Sequence, residues 1–261
     1  MAAYQSCRPL AVKERGDSRM TMCLRLDPFL EMADAERVDK ALAKLNASGL
    51  DYAVTGGMAL EAALAPEFGR QRAFNDIDVV TAGFHALPSA LASMFMISHA
   101  HPHRPTGKLV IQLVEPELRV RIDVFSACGD TLERVRPALI GDLPVKIVAL
   151  EDMASRIASE MMCFCRGDTV SPKCADDHAR ATQVVDINLV ETAWRDQRRK
   201  IDPPKYAEAT VQIAEALERR PGRFAKQTYS TNMDIICQHC RNTAHFTVAS
   251  PGLILPILGH C

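Results

Sequence analysis

The chain has 261 residues, with 31 Lys and Arg against 32 Asp and Glu, a formal charge of −1, and 48% hydrophobic residues. That balance excludes a disordered or low-complexity chain and a surface coated with positive charge for bulk nucleic-acid binding, and the length suits one large domain or one with an appendage. Aromatic residues make up only 5%, so the core must be built from Ala, Val, Leu, Ile and Met.

Residues 1–27 mix charges with Pro9 and Gly16 and show no sustained periodicity, so a poorly ordered lead-in is expected there. The same stretch has no apolar core of signal-peptide length, which points to an intracellular, cytoplasmic protein. From Pro28 onward, Phe29, Leu30, Met32, Val38, Ala41, Leu42 and Leu45 fall at helical spacings, and Gly49 follows as a stop. DYAVTGG (51–57) reads as a short strand ending at Gly56-Gly57, and MALEAALA (58–65) as a helix that starts directly after it.

Asn75-Asp76-Ile77-Asp78-Val79-Val80 alternates polar and apolar residues and reads as the next strand. Between Asp78 and Arg104 there is no Asp, Glu, Lys or Arg, but Ser, His, Pro and Gly interrupt the stretch, which excludes a membrane span. Within it, His99, His101 and His103 alternate; Pro102 and Pro105 favour an exposed histidine loop over a strand carrying three imidazoles on one side. KLVIQLV (108–114) and LRVRIDVF (118–125) have strand character, with Glu115-Pro116-Glu117 as a hairpin turn, and VKIV (145–148) is a further candidate strand. Helical composition then takes over at 149–162, near 173–195, and from about 204 to 220 between Pro203-Pro204 and Pro221-Gly222. Strands early and helices late give an α+β fold backed by a helical half.

The carboxylates carry the chemistry. Residues i and i+2 of a strand project to one side, so Asp76 and Asp78 point together while Ile77 and Val79 enter the core. Along 118–125, Leu118, Val120, Ile122 and Val124 form one face, and Arg119, Arg121 and Asp123 the other. If the two strands are neighbours, Asp123 completes a triad that repels itself unless cations neutralise it, and Mg²⁺ is the natural partner of such oxygen ligands. Gly56-Gly57 ahead of a helix offers the complement, free N–H groups and close backbone approach for a phosphate.

These residues resemble the nucleotidyltransferase superfamily of polymerase-β-like fold, which includes minimal, antibiotic-modifying and toxin-type enzymes. The resemblance rests on Val54-Thr55-Gly56-Gly57-Met58-Ala59-Leu60, on Arg72 with Asn75-Asp76-Ile77-Asp78-Val79-Val80, and on Arg121-Ile122-Asp123-Val124-Phe125. It spans roughly residues 35–185, with Arg156 standing where the family often has Lys in the helix after the catalytic strands. It implies a mixed nucleotidyltransferase-type sheet with flanking helices at 28–148; the composition of the chain adds a helical region at 149–226 and a small Cys/His-containing tail at 227–261. The resemblance further implies catalytic, metal-binding Asp76, Asp78 and Asp123 holding two Mg²⁺ ions, and Gly56, Gly57, Arg72 and Arg156 at the nucleotide. The substrates would be an NTP and a hydroxyl acceptor, which is a small molecule, RNA or protein. The alternative is a non-catalytic protein of the same fold that serves in binding or regulation.

The tail holds a second cluster. Cys237-Gln238-His239-Cys240 has zinc-knuckle spacing, with His245 and Cys261 as further candidate ligands, so a structural Zn²⁺ stands beside buried thiols and, less well, a redox pair. Cys163, Cys165 and Cys174 do not share a helical face and read as core or surface thiols. The basic residues of 195–200, with Arg219, Arg220, Arg223 and Lys226, read as a solvated helix surface, with nucleic-acid contact as the alternative.

Overall fold

The computed structural model describes residues 22–24, 32–69, 76–83, 87–101, 110–140, 142–196 and 203–220. The elements run in chain order as β1 (Met22–Leu24), α1 (Met32–Ala47), β2 (Ala53–Thr55), α2 (Gly56–Phe68), β3 (Ile77–Thr81), α3 (Ala90–Met94), β4 (Met96–His101), β5 (Val110–Val114), β6 (Arg121–Ser126), β7 (Arg136–Ile140) and β8 (Leu143–Ile147). Helices α4 (Leu150–Cys165), α5 (Pro172–Ala181), α6 (Ile187–Asp196) and α7 (Tyr206–Arg219) follow. The strands form one mixed sheet of eight in the order β1-β7-β8-β2-β3-β6-β5-β4.

Two central pairings position the site. β2 runs antiparallel to β3, with Thr55 opposite Asp78. β3 runs parallel to β6, with Ile77 opposite Ile122 and Asp78 opposite Asp123. The period of two then sorts the side chains, so Ile77, Val79, Ile122 and Val124 are buried in the core together with residues of α1 and α2 such as Leu42, Leu45, Met58 and Leu60.

A second core holds the helical half. Ala154 and Ala158 lie one turn apart on α4 and pack with Met161, Phe164, Trp194, Tyr206 and Ile213. Trp194 and Tyr206 meet edge to face with centroids 5.8 Å apart, and the Trp194 indole N–H donates to the Pro203 carbonyl at 3.1 Å. An arginine clamp joins this half to the sheet: Arg134 donates to both Asp152 oxygens at 2.7 and 2.8 Å and to Asp196 at 2.7 Å.

Several expectations change. Met22–Leu24, inside the stretch expected to be a lead-in, pairs with β7 in parallel as an edge strand. His99 and His101 lie in β4 and not in a loop, because pairing with β5 carries the strand up to the residue before Pro102, past a register shift between Ile97 and His99. The segment 173–195 is two helices with a turn after Ala181. Arg119 leaves the strand face, taking a left-handed conformation (φ 56°) in the turn between β5 and β6. Its N–H donates to Glu115 O at 2.8 Å. That turn is pinned by the buried Glu115 carboxylate, which pairs with Lys44 of α1 and accepts the Leu118 N–H at 2.5 Å.

Candidate active site

Asp76, Asp78 and Asp123 come together. Ligand oxygens of the three lie within 4.8 Å of one another, and all three side chains are half-buried. The convergence follows from register: Asp78 and Asp123 face each other across the β3–β6 ladder, and Asp76 stands one step beyond the end of β3 on the same side. Like charges directly opposite on a sheet are unfavourable, so the arrangement calls for a cation.

Two residues that the sequence reading gave no role in the site supply part of that compensation. Arg121, two residues before Asp123, pairs with Asp76 through its Nη2, and its Nε lies 3.5 Å from Asp123 Oδ1. Gln112 of β5, opposite Asp123 in the ladder, donates its Nε2–H to Asp123 Oδ1 at 2.9 Å. The alternation of β6 placed Arg121 on the carboxylate face, so its position was legible; Gln112 depends on β5 register, which no local pattern reveals.

The glycine turn lies against the same carboxylates. Gly56 has φ 63°, and a Cβ there would overlap the Asp78 carboxylate. Helix α2 begins at Gly56 itself and not after Gly57, so the pair forms the first turn. That turn presents free N–H groups beside the triad. Its fourth residue past Gly57, Glu61, is fully buried and accepts from Arg180 Nη2 at 2.7 Å, while the same nitrogen donates to Asp177 Oδ1 at 2.8 Å. The start of α2 is thereby tied to α5.

Arg156 lies on the exposed side of α4 with its guanidinium 5.3 Å from the centre of the Phe125 ring. Phe125 follows Asp123 by two residues in β6, so Arg156 stands on the carboxylate side of the sheet. Arg72, Cys237, Cys240, His245 and Cys261 lie outside the described residues, as do most of the basic residues of 195–200. Cys163, Cys165 and Cys174 are half-buried free thiols; burial, with Glu160 beside it, pushes the Cys174 thiol up to about 12, which leaves it protonated and unreactive. No helix among the described residues is long and apolar enough to cross a membrane.

The arrangement can hold hard divalent cations. The donors are all carboxylate oxygens, the side chains are only half-buried, and the excess negative charge is only partly offset by Arg121.

No protein-family model matches the chain, and no curated protein matches it. Among solved structures, the solution structure of antibiotic-resistance factor ANT(2'')-Ia is similar over 73% of this chain and 97% of that one, at 15% identity and a TM-score of 0.46. The crystal structure of an antigenic nucleotidyltransferase-like protein from Paracoccidioides brasiliensis is similar over 73% of this chain and 90% of that one, at 17% identity and a TM-score of 0.40. Both likenesses are distant, and what the site does has to be read from its own residues.

Proposed function

We propose that the protein is a metal-dependent nucleotidyltransferase that moves a nucleoside monophosphate from an NTP to a hydroxyl acceptor. The observation that carries this reading is the meeting of Asp76, Asp78 and Asp123 within 4.8 Å beside the Gly56 turn. Asp76 and Asp78 would hold Mg²⁺ at the triphosphate, and Asp123 would share a second ion. Divalent cations bound there supply neutralisation of the negative charge on the reacting phosphate oxygens.

The remaining roles belong to the chain. The α2 N-terminus binds phosphate oxygens through free N–H groups, and the absence of a side chain at Gly56 and Gly57 lets them approach. Arg156 and Arg72 bring positive charge to the nucleotide. Asp123, held by Gln112, accepts the proton of the acceptor hydroxyl as that oxygen attacks the α-phosphorus and pyrophosphate departs. A small molecule, an RNA and a protein hydroxyl all suit this chemistry as acceptor.

The test is incubation with Mg²⁺ and each α-³²P-labelled NTP, with melting curves recorded in parallel on wild type and on the Asp76→Asn, Asp78→Asn double variant. A ligand at about 100 times its Kd stabilises by about 2.7 kcal/mol. The expected result is a Mg²⁺-dependent upward shift with at least one NTP in the wild type alone. Folded wild type that responds to no NTP would sink the reading in favour of a non-catalytic role.

A further inference from the structure

Arg121 is a cation already seated in a site that otherwise calls for one. Its Nη2 pairs with Asp76 and its Nε approaches Asp123 Oδ1 at 3.5 Å. This pairing is incomplete: Nε is buried and makes no hydrogen bond, and a buried N–H left unmet is costly. The guanidinium therefore offsets part of the triad's charge without being satisfied by it. Its planar fork of donors is well matched to phosphate oxygens.

We propose that Arg121 is the resident counter-ion of the triad and that it changes partner during loading, leaving Asp76 for the triphosphate when cation and nucleotide arrive together. This inference rests on the metal-site reading above and adds to it a rule of order. A divalent cation alone must compete with a fixed positive charge for Asp76, so it binds weakly. The same cation accompanied by triphosphate gives the guanidinium a better acceptor, including one for the unmet Nε–H, so it binds well. Arg121 thus acts as a positioning residue that couples metal occupancy to nucleotide occupancy and keeps the triad from filling with adventitious cations.

The probes are Mn²⁺ alone and Mn²⁺ with inorganic triphosphate, titrated into the metal-stripped full chain with free Mn²⁺ followed by electron paramagnetic resonance. Arg121→Gln is expected to bind Mn²⁺ alone roughly ten-fold or more tightly than wild type, within the usual range of coupling between sites. It should also lose most of the enhancement that triphosphate confers on the wild type. Arg121→Lys, which keeps the charge, should bind Mn²⁺ alone as weakly as wild type. If Arg121→Gln binds Mn²⁺ no tighter than wild type, the inference is overturned. In that case, Mn²⁺ uptake by wild type that Asp76→Asn abolishes leaves the metal site standing, whereas no uptake by any form removes both. Should Arg121→Gln fail to fold, the wild type alone decides through its Arg121 Nε–H resonance. A shift with Mg²⁺ and triphosphate together but not with Mg²⁺ alone is expected, and an unmoved resonance overturns the proposal.

Discussion

Gly56 and Asp78 come so close that any side chain at residue 56 would overlap the Asp78 carboxylate. Thr55, the residue before this glycine, is opposite Asp78 in the β2–β3 ladder, so the contact is fixed by register and not by a flexible loop. The glycine is needed twice over, for its left-handed φ of 63° and for the space its missing Cβ leaves. Gly56→Ala should therefore cost about 1–2 kcal/mol from backbone conformation alone, and displace Asp78 besides. Melting with and without Mg²⁺ and NTP tests this. The expected outcome is a lower melting temperature together with loss of the ligand-induced shift. A variant that melts lower but keeps the full shift would show that Asp78 needs no such fit.

The Asp78–Asp123 relationship makes a prediction of opposite sign. Two like charges side by side across a ladder are unfavourable, so Asp78→Asn should leave the metal-free protein as stable as wild type, or slightly more so. Transfer activity should fall by at least about a hundred-fold if the carboxylate holds the cation. Urea denaturation in the presence of a chelator, beside a labelled-NTP assay, checks both arms. Marked destabilisation would mean that Asp78 serves the fold and not the site.

Much of this was legible in the sequence because the alternation around Asp76, Asp78 and Asp123 is strictly local and each strand reports its own face. The neighbouring of β3 and β6 was a condition the sequence could state but not meet. β7 went unseen: Pro137 and Pro144 break the strand signal on both sides of the two-residue connection at 141–142, and pairing within the sheet, with Ile140 opposite Leu143, outweighs local preference. The histidines of β4 read as a loop for a similar reason, since Pro102 follows the last residue of that strand. The ion pairs of Glu61 with Arg180 and Asp152 with Arg134 bury their carboxylates and join residues on different elements, and no local spacing rule reaches them.

The β5–β6 turn offers a test of the scaffold. Burial raises the Glu115 carboxyl, but the Lys44 ammonium and the Leu118 N–H more than offset this and hold its pKa below the usual carboxylate range. Removing Lys44 leaves a buried charge without its partner, so Lys44→Met should cost about 3–5 kcal/mol. Adding Glu115→Gln to Lys44→Met should recover much of that loss. In the wild type, the contribution of Glu115 is fully present above the unfolded carboxylate pKa and is lost as pH falls through the lower folded value. Urea midpoints of the wild type, Lys44→Met and the double variant, compared at neutral pH, decide the matter. A double variant no more stable than Lys44→Met would remove the charge argument.

His178 gives the clearest pH signature. It is buried on α5, its Nδ1 makes no hydrogen bond, and burial pushes its pKa down to about 4 from the ordinary 6.5. Between those two values the unfolded chain takes up a proton that the folded chain does not, so stability falls as pH drops from 6.5 towards 4. Each pKa unit corresponds to about 1.4 kcal/mol, so the full effect is about 3 kcal/mol. His178→Gln cannot take up that proton in either state, so its stability should be flatter over the same interval, whatever carboxylates contribute to both proteins. Urea denaturation of the two proteins at pH 7, 5.5 and 4.5 reads the difference directly. Parallel curves across that interval would mean that His178 is hydrated in the folded protein, or that α5 opens to let it charge at little cost.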